Sequence, residues 1–372
     1  MKRRSRAIVA LTGRRLVAAL GVPGCVAACL VLAGTAAAPA SASPRPAQAA
    51  RFDGAGPAAL ARPGNVARAG PGALGGSVVL GGSPGAPANG RITFTRFDPK
   101  LGDFSIWAAN PDGTHQQRLT HTPSQDSDWS PNGRRIAFDF FGKTGEHLAT
   151  MDPNGRHVRQ LTFKKGIQGD PKWSPNGQRI TFDASPTFPD QPGFHTSIWT
   201  MRANGTAARQ LTHGIFGVEP VYSPGGRRIA FGRITGIDAQ GFQLEAIDVI
   251  NTDGTHLRQV VPPLAGLEHP DWSPNGHWIT FNIDPEHPQA AAMAVHPNGK
   301  GLRVLRRSDN RFGLFKPVWS PDGHEILVGC HDFQAHIDKL CVMKANGHNL
   351  HVIIATPDPV NNPAWGTHPL KH

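Results

Sequence analysis

Cysteine, tyrosine and long apolar runs are scarce in this chain of 372 residues, and each shortage narrows what it does. Of four cysteines, Cys25 and Cys29 fall in an N-terminal leader, leaving Cys330 and Cys341 for the folded chain. No redox motif surrounds either, so a structural role outweighs a catalytic one. The two are eleven residues apart, near adjacent strands of one hairpin, which suits a disulfide; two buried thiols are the other reading. Phosphate-cradling glycine loops are also missing, because the many glycines belong to turns. Gly81-Gly82-Ser83-Pro84-Gly85 satisfies the nucleophile-elbow pattern in letters, but neither the strand before it nor the helix after it is possible there.

A single apolar run, Leu16 to Leu32, reaches about 17 residues, the short limit for a membrane span, and Pro23 and several glycines interrupt it. It follows a stretch from Lys2 to Arg15 that holds no acid, and precedes small residues ending in Ala40-Ser41-Ala42. Residues 1–42 therefore read as a signal peptide cleaved after Ala42, with a retained anchor as the alternative. Arg14-Arg15 resembles a twin-arginine signal with Gly13 in place of the usual hydroxyl residue. Val26-Ala27-Ala28-Cys29 resembles a lipoprotein box without the polar tether. The expected location is extracytoplasmic, secreted or periplasmic, by a general or twin-arginine route.

The net charge of +11 invites a nucleic-acid reading until its distribution is counted. Residues 1–42 contribute +6 and residues 43–88 contribute +3, leaving +2 on residues 89–372. The basic charge belongs to the leader and the following tail, and nucleic-acid binding is not expected. Residues 43–88 are almost entirely Ala, Gly, Pro, Arg and small polar residues, too poor in large apolar side chains to offset ordering, and read as a flexible linker.

What the rest of the chain has is repetition. An aromatic residue, a Ser-Pro-Asx-Gly turn, an Ile-x-Phe strand, a second strand ending in Asx-Gly and a final pair of apolar residues recur six times. The aromatics are Trp129, Trp173, Tyr222, Trp272, Trp319 and Trp365, at steps of 44, 49, 50, 47 and 46 residues, the period of a four-stranded propeller blade. Strands start at Ile92, Ile136, Ile180, Ile229, Ile279 and Ile326, and Asx-Gly turns follow at Asp112, Asn154, Asn204, Asp253, Asn298 and Asn346. Fourth strands are expected around Leu119, Leu161, Leu211, Val260, Leu305 and Ile353. The first unit begins mid-repeat at Asn89-Gly90-Arg91 and the last ends on Trp365. The C-terminal strand is therefore expected to complete the blade begun by residues 91–119: an all-β, six-bladed β-propeller, 89–372, with one-plus-three closure.

The Trp-Ser-Pro-Asx-Gly units at 129, 173, 272 and 319, with Tyr222-Ser223-Pro224-Gly225-Gly226 as the deviant copy, resemble the repeats of TolB-like six-bladed propellers over about 89–366. The resemblance implies the fold more than an activity, since that family includes periplasmic scaffold proteins, propeller domains of oligopeptidases and some pectin-degrading lyases. The oligopeptidases add a C-terminal hydrolase domain, and this chain runs seven residues past Trp365.

In such blades the tight turns lie on one face. The long, dissimilar connections, 184–197, 232–245, 283–291, 306–316 and 330–339, lie on the other, which is the face where binding is expected. The third residue before each aromatic should point to the channel mouth there: Asp126, Asp170, Glu219, His269, Lys316 and Asn362. This polar ring could line a solvated opening, grip a basic or hydroxyl-rich ligand, or hold a divalent cation, with Lys316 as an internal counter-charge. No other cofactor is expected. The tryptophans, Trp107 and Trp199 included, read as packing residues, and His331, Asp332 and His336 as a solvated loop. The function expected is a monomeric, non-enzymatic propeller that binds a protein or envelope component through its long-loop face. The alternative is a polysaccharide lyase-like or small-ligand enzyme at the mouth; the lyase reading would require His195, His269, His287 and His331 to converge.

Overall fold

The computed structural model describes residues 88–371. The signal-peptide and most of the linker assignments lie outside those residues. Twenty-four strands form six four-stranded antiparallel sheets. The first sheet takes β1 (Ile92–Asp98), β2 (Asp103–Ala109) and β3 (Gln117–Arg118); the second takes β4 (Ser124–Trp129), β5 (Ile136–Gly142), β6 (Gly145–Met151) and β7 (Arg159–Gln160). The third runs β8 (Ile167–Trp173), β9 (Arg179–Ser185), β10 (Ser197–Arg202) and β11 (Arg209–Gln210); the fourth runs β12 (Phe216–Tyr222), β13 (Arg228–Ile237), β14 (Gln243–Asn251) and β15 (Arg258–Ala265). The fifth holds β16 (Leu267–Trp272), β17 (Ile279–Ile283), β18 (Ala291–Val295) and β19 (Arg303–Arg307); the sixth holds β20 (Phe312–Trp319), β21 (Glu325–Asp332), β22 (Ile337–Lys344) and β23 (His351–Ile354). The last strand, β24 (Val360–Trp365), pairs with β1 and completes the first sheet. Each innermost strand touches the next around a closed ring, β24 to β4, β8, β12, β16, β20 and back to β24.

The Ile-x-Phe signature forms the core between blades. Ile92, Phe94, Ile136, Phe138, Ile180, Phe182, Ile229, Phe231, Ile279 and Phe281 are all at most 2% exposed. Burial of each such side chain contributes roughly 1.5–3 kcal/mol. The Ser-Pro-Asx-Gly turns repeat one geometry. Ser130 Oγ donates to Asn132 Oδ1 and accepts the Arg135 amide at 2.9 Å, and Ser174 and Ser273 do the same in their blades. The turn prolines Pro131, Pro175, Pro224 and Pro274 then lie against Gly177, Gly226, Gly276 and Gly323 of the following blade. The Asx-Gly glycines have a double reason to be glycine. At Gly347 φ is +84°, and an added Cβ would stand 2.0 Å from the Leu305 carbonyl oxygen of the blade before.

Two local expectations differ from the structure. The fourth strands of the first three blades stop before Leu119, Leu161 and Leu211, because the next residue caps the third strand with its side chain. Thr120, Thr162 and Thr212 Oγ1 accept the amides of Ile106, Leu148 and Ile198 at 2.8, 2.9 and 2.9 Å. The connection 232–245 is mostly hairpin: β13 and β14 stay paired to Ile237 and Gln243, with one register shift between Ile234 and Gly236, and are closed by the turn Asp238–Gly241. The Arg233–Asp248 ion pair, 2.6 Å, helps hold this extension. The connection 330–339 likewise shortens to a turn, with Asp332 opposite Ile337.

Cys330 and Cys341 are joined in a disulfide on neighbouring strands of the sixth blade, Cα atoms 6.1 Å apart. Both are fully buried. Among the described residues no helix is long and apolar enough to cross a membrane.

Candidate binding surface at the channel mouth

Every innermost strand is interrupted by a bulge at the same place. The register of β4, β8, β12, β16 and β20 against its neighbour slips across Gln125/Asp128, Gly169/Lys172, Val218/Val221, Glu268/Asp271 and Phe315/Val318, and β1 against β24 slips across Thr93/Thr95. The bulged residues are the six picked out by sequence. Asp126, Asp170, Glu219, His269, Lys316 and Asn362 all adopt left-handed backbone, with φ of 45°, 50°, 53°, 57°, 49° and 46°. Asp and Asn tolerate that conformation, but Glu, His and Lys do so at a cost of about 1–3 kcal/mol each. A strain repeated six times at one repeat position re-aims six polar side chains toward the channel.

Hydrogen bonds from neighbouring blades hold the bulges. The Asp170 amide donates to Asp139 Oδ2 at 3.4 Å, that of Glu219 to Asp183 Oδ2 at 3.1 Å and that of Lys316 to Asn282 Oδ1 at 2.9 Å. Asp139, Asp183 and Asn282 each directly follow an Ile-x-Phe, so this position is a second tier of the site that sequence reading missed. Its signal was a polar residue at 95, 139, 183 and 282. Glycine takes the position at 232 and 329. At Gly232 the Glu245 carboxylate fills the space that a side chain would take, and the His269 amide turns instead to Glu219 Oε2, 2.7 Å away. Gly169 in the same way leaves room for Glu146 to lie beside Asp139.

The ring pairs within itself. Lys316 Nζ contacts Asp126 Oδ1 and lies 3.8 Å from Asp170 Oδ1. His269 Nε2 lies 2.9 Å from Glu219 Oε1, and its Nδ1 lies 3.6 Å from Glu268 Oε2. Asn362 completes the ring beside Asp126, Asp170 and Lys316, around a cavity of about 10 Å³ that admits a single water at most. The ammonium of Lys316 thus lies where a cation would be drawn.

Carboxylates outnumber the Lys316 ammonium, and the field shows it. Burial, then Glu146, Asp126 and Asp170, hold Asp139 well above the usual carboxylate range. Burial and Asp126 do the same to Asp170 against the opposing pull of Lys316. Asp183 is pushed up to about 7 and Glu146 to about 8, chiefly by burial, and Glu245 is also raised well above its ordinary value by burial and Glu219. Burial opposes ionisation of Glu219 too, yet His269 and Lys316 together hold it low. Lys316 is raised, its desolvation outweighed by Asp126, Asp170 and Glu219.

The histidines of the enzymatic alternative do not converge with such a centre. His195 Nδ1 meets the Gly193 carbonyl at 2.9 Å, His287 stands edge-on to Phe242 at 4.8 Å and His331 pairs across the hairpin with Asp338 at 2.8 Å. Asp332 is engaged by Lys339 at 2.6 Å. Among the described residues no group of three or more His, Cys, Asp or Glu side chains has the geometry to hold a metal ion.

Comparison with known proteins agrees with the repeat geometry. A family model described as PD40, the TolB beta propeller domain, matches residues 82–369. TolB from Acinetobacter baumannii is similar in fold with a TM-score of 0.63 and 19% identity, over 76% of this chain and 68% of that one. A putative TolB from Agrobacterium tumefaciens follows with a TM-score of 0.55 and 17% identity, over 75% and 93%. A relative named uncharacterized peptidase YuxL, of Bacillus subtilis (strain 168), is 41% identical over 59 residues, 16% of this chain and 9% of its own length. This last match spans under a tenth of that protein, and the structural likenesses speak to fold alone. Six blades, their shared signature and the family match over residues 82–369 place this chain in the TolB β-propeller domain family.

Proposed function

We propose that the chain is an exported, non-enzymatic propeller that docks a protein or envelope component through its long-loop face. The observation that carries this reading is the position of the two most exposed large apolar side chains among the described residues. Phe163 is 72% exposed and Ile237 71%, and both lie on that face, on the 161–166 connection and at the tip of the protruding β13–β14 hairpin. Solvent-facing aromatic and branched side chains around a rigid polar centre are what a partner surface offers. The mouth ring supports the same reading, because Lys316 and His269 are already engaged by Asp126 and Glu219. The buried disulfide and the leader sequence support an oxidising compartment.

The test is site-specific photocrosslinking in the native host, with a benzoylphenylalanine at position 163 or 237. Adducts of one defined mass at both positions, lost when the other position is changed to Ser, are the expected result. Absence of adducts from both positions in cells that export the protein would overturn the reading.

A further inference from the structure

The near-neutral propeller is strongly polarised. Its tight-turn face comprises 110–118, 130–135, 152–159, 174–179, 202–209, 223–228, 251–258, 273–278, 296–303, 320–325, 344–351 and the joined termini 89–91 and 366–371. These segments carry sixteen Lys and Arg against five Asp and Glu, a net +11. The rest of residues 89–371 carries twelve against twenty-one, a net −9. Summed along the sequence the two cancel; only the topology separates them.

Within the basic face lies a groove of about 450 Å³ between the fourth and fifth blades, lined by Arg228, Arg258, His277 and His296. Burial, and to a lesser degree the neighbouring Arg228 charge, lower the Arg258 pKa. Among the described residues neither arginine has a carboxylate partner. The repeat supplies an internal control. Arg135, the equivalent of Arg228 in the second blade, is neutralised by Asp152 at 2.5 Å. Opposite Arg228 stands Asn251, whose amide is engaged by Thr255 Oγ1 and His256 Nδ1. Arg258 has one donor on the Pro297 carbonyl, as Arg159 has on Asn204 and Arg209 on Asp253, so part of its role is to staple blades.

The surroundings say what kind of anion fits. Trp278 is covered on its faces by His296, with ring centroids 3.7 Å apart, and by Arg303, 3.9 Å from the ring, so no open aromatic face remains for a sugar or a base. Exposed Leu257 (42%) and Leu302 (47%) belong to the fourth-strand turns on either side. Guanidinium and imidazole donors in the groove, on a face whose neighbouring turns also expose Leu257 and Leu302, match carboxylates carried on a chain that also has apolar side chains. We propose that this groove docks an acidic segment of a partner protein, on a surface separate from the long-loop face. It does not depend on the long-loop reading, and its test uses purified protein alone.

Fluorescence anisotropy with a short fluorescein-labelled peptide alternating glutamate with leucine measures binding at low and at physiological salt. The expected result is binding that Arg228→Gln weakens roughly tenfold, that His277→Asn weakens less and that Arg134→Gln on the same face leaves unchanged, with equal melting temperatures. A second arm uses a glutamine-leucine peptide, expected not to bind, and oligothymidylate as competitor, expected to displace the acidic peptide poorly. No binding at low salt, equal loss in Arg134→Gln and Arg228→Gln, equal binding of the glutamine peptide, or efficient displacement by oligothymidylate would each overturn the proposal.

Discussion

One carboxylate, that of Glu219, holds its ring neighbour His269 twice: Oε2 accepts the His269 amide at 2.7 Å while Oε1 lies 2.9 Å from Nε2 of the same residue. The arrangement arises because glycine at 232 leaves the fourth blade without the acceptor that Asp139, Asp183 and Asn282 supply elsewhere. The mouth ring is therefore a network in which backbone strain, charge and hydrogen bonding depend on one another.

Lys316 is the cation that makes Asp126 and Asp170 tolerable in the same burial. Its replacement by Met leaves unpaired buried carboxylates and is expected to cost about 3–5 kcal/mol. Adding Asp126→Asn should recover part of that loss. Denaturant titration of the single and double variants tests the coupling, and additive effects would refute it.

Stability should fall as pH rises from about 5 to about 8. Asp139, Asp170 and Glu245 are held well above the carboxylate range, with Asp183 about 7 and Glu146 about 8, whereas in the unfolded chain they titrate near 4. Between those values the folded state binds more protons than the unfolded one, so each rise in pH favours unfolding. Glu219 has the opposite sign, its contribution present above its unfolded value and lost only as pH falls through its lowered one, and Lys316 contributes fully across the whole window. Thermal melts across this range give the answer; a flat or rising melting temperature contradicts the buried-acid network.

Asn362 tests the strain itself, since its side chain lies at the mouth with φ at 46°. Asn362→Gly is expected to change stability by less than about 1 kcal/mol, whereas Asn362→Val should cost about 1–3 kcal/mol because a branched Cβ resists left-handed backbone. Equal effects of the two substitutions would mean that the bulge relaxes.

Gly347 and Gly102 separate steric contact from backbone conformation. Both have positive φ, but an added Cβ meets the Leu305 carbonyl oxygen at 2.0 Å in the first case and nothing within 4 Å in the second. Gly347→Ala is expected to lose about 3 kcal/mol or more, and Gly102→Ala only about 1–2 kcal/mol. Comparable losses in urea unfolding would show that the blade contact is dispensable.

The six blades, the closure through Trp365 and the shared position of the six bulged residues were readable because each is periodic. Ile-x-Phe recurs wherever a strand must bury one face, and Asp126 through Asn362 share one offset from an aromatic. The connections were harder. Residues 232–245 carry Gly232, Gly236 and Gly241 and look loop-like, yet Ile234, Glu245 and Ala246 continue the ladder because pairing partners are available on both strands. The capping threonines at 120, 162 and 212 were in the sequence as a Leu-Thr repeat, but which amide they accept depends on a strand fourteen residues away.

Sequence alone determined the blade count, the order of the strands and the pairing region of Cys330 and Cys341, since these follow from spacing and from which side chains tolerate water. The tertiary structure decided what those residues do to each other. Glu146 and Glu245 come from third strands and reach inward only because Gly169 and Gly232 leave room, and Lys316 meets Asp126 from 190 positions away. The separation of a basic turn face from the acidic remainder of the propeller is likewise invisible in a linear charge count. Electrostatic energy depends on distance through space, and the ring is what brings these charges together or holds them apart.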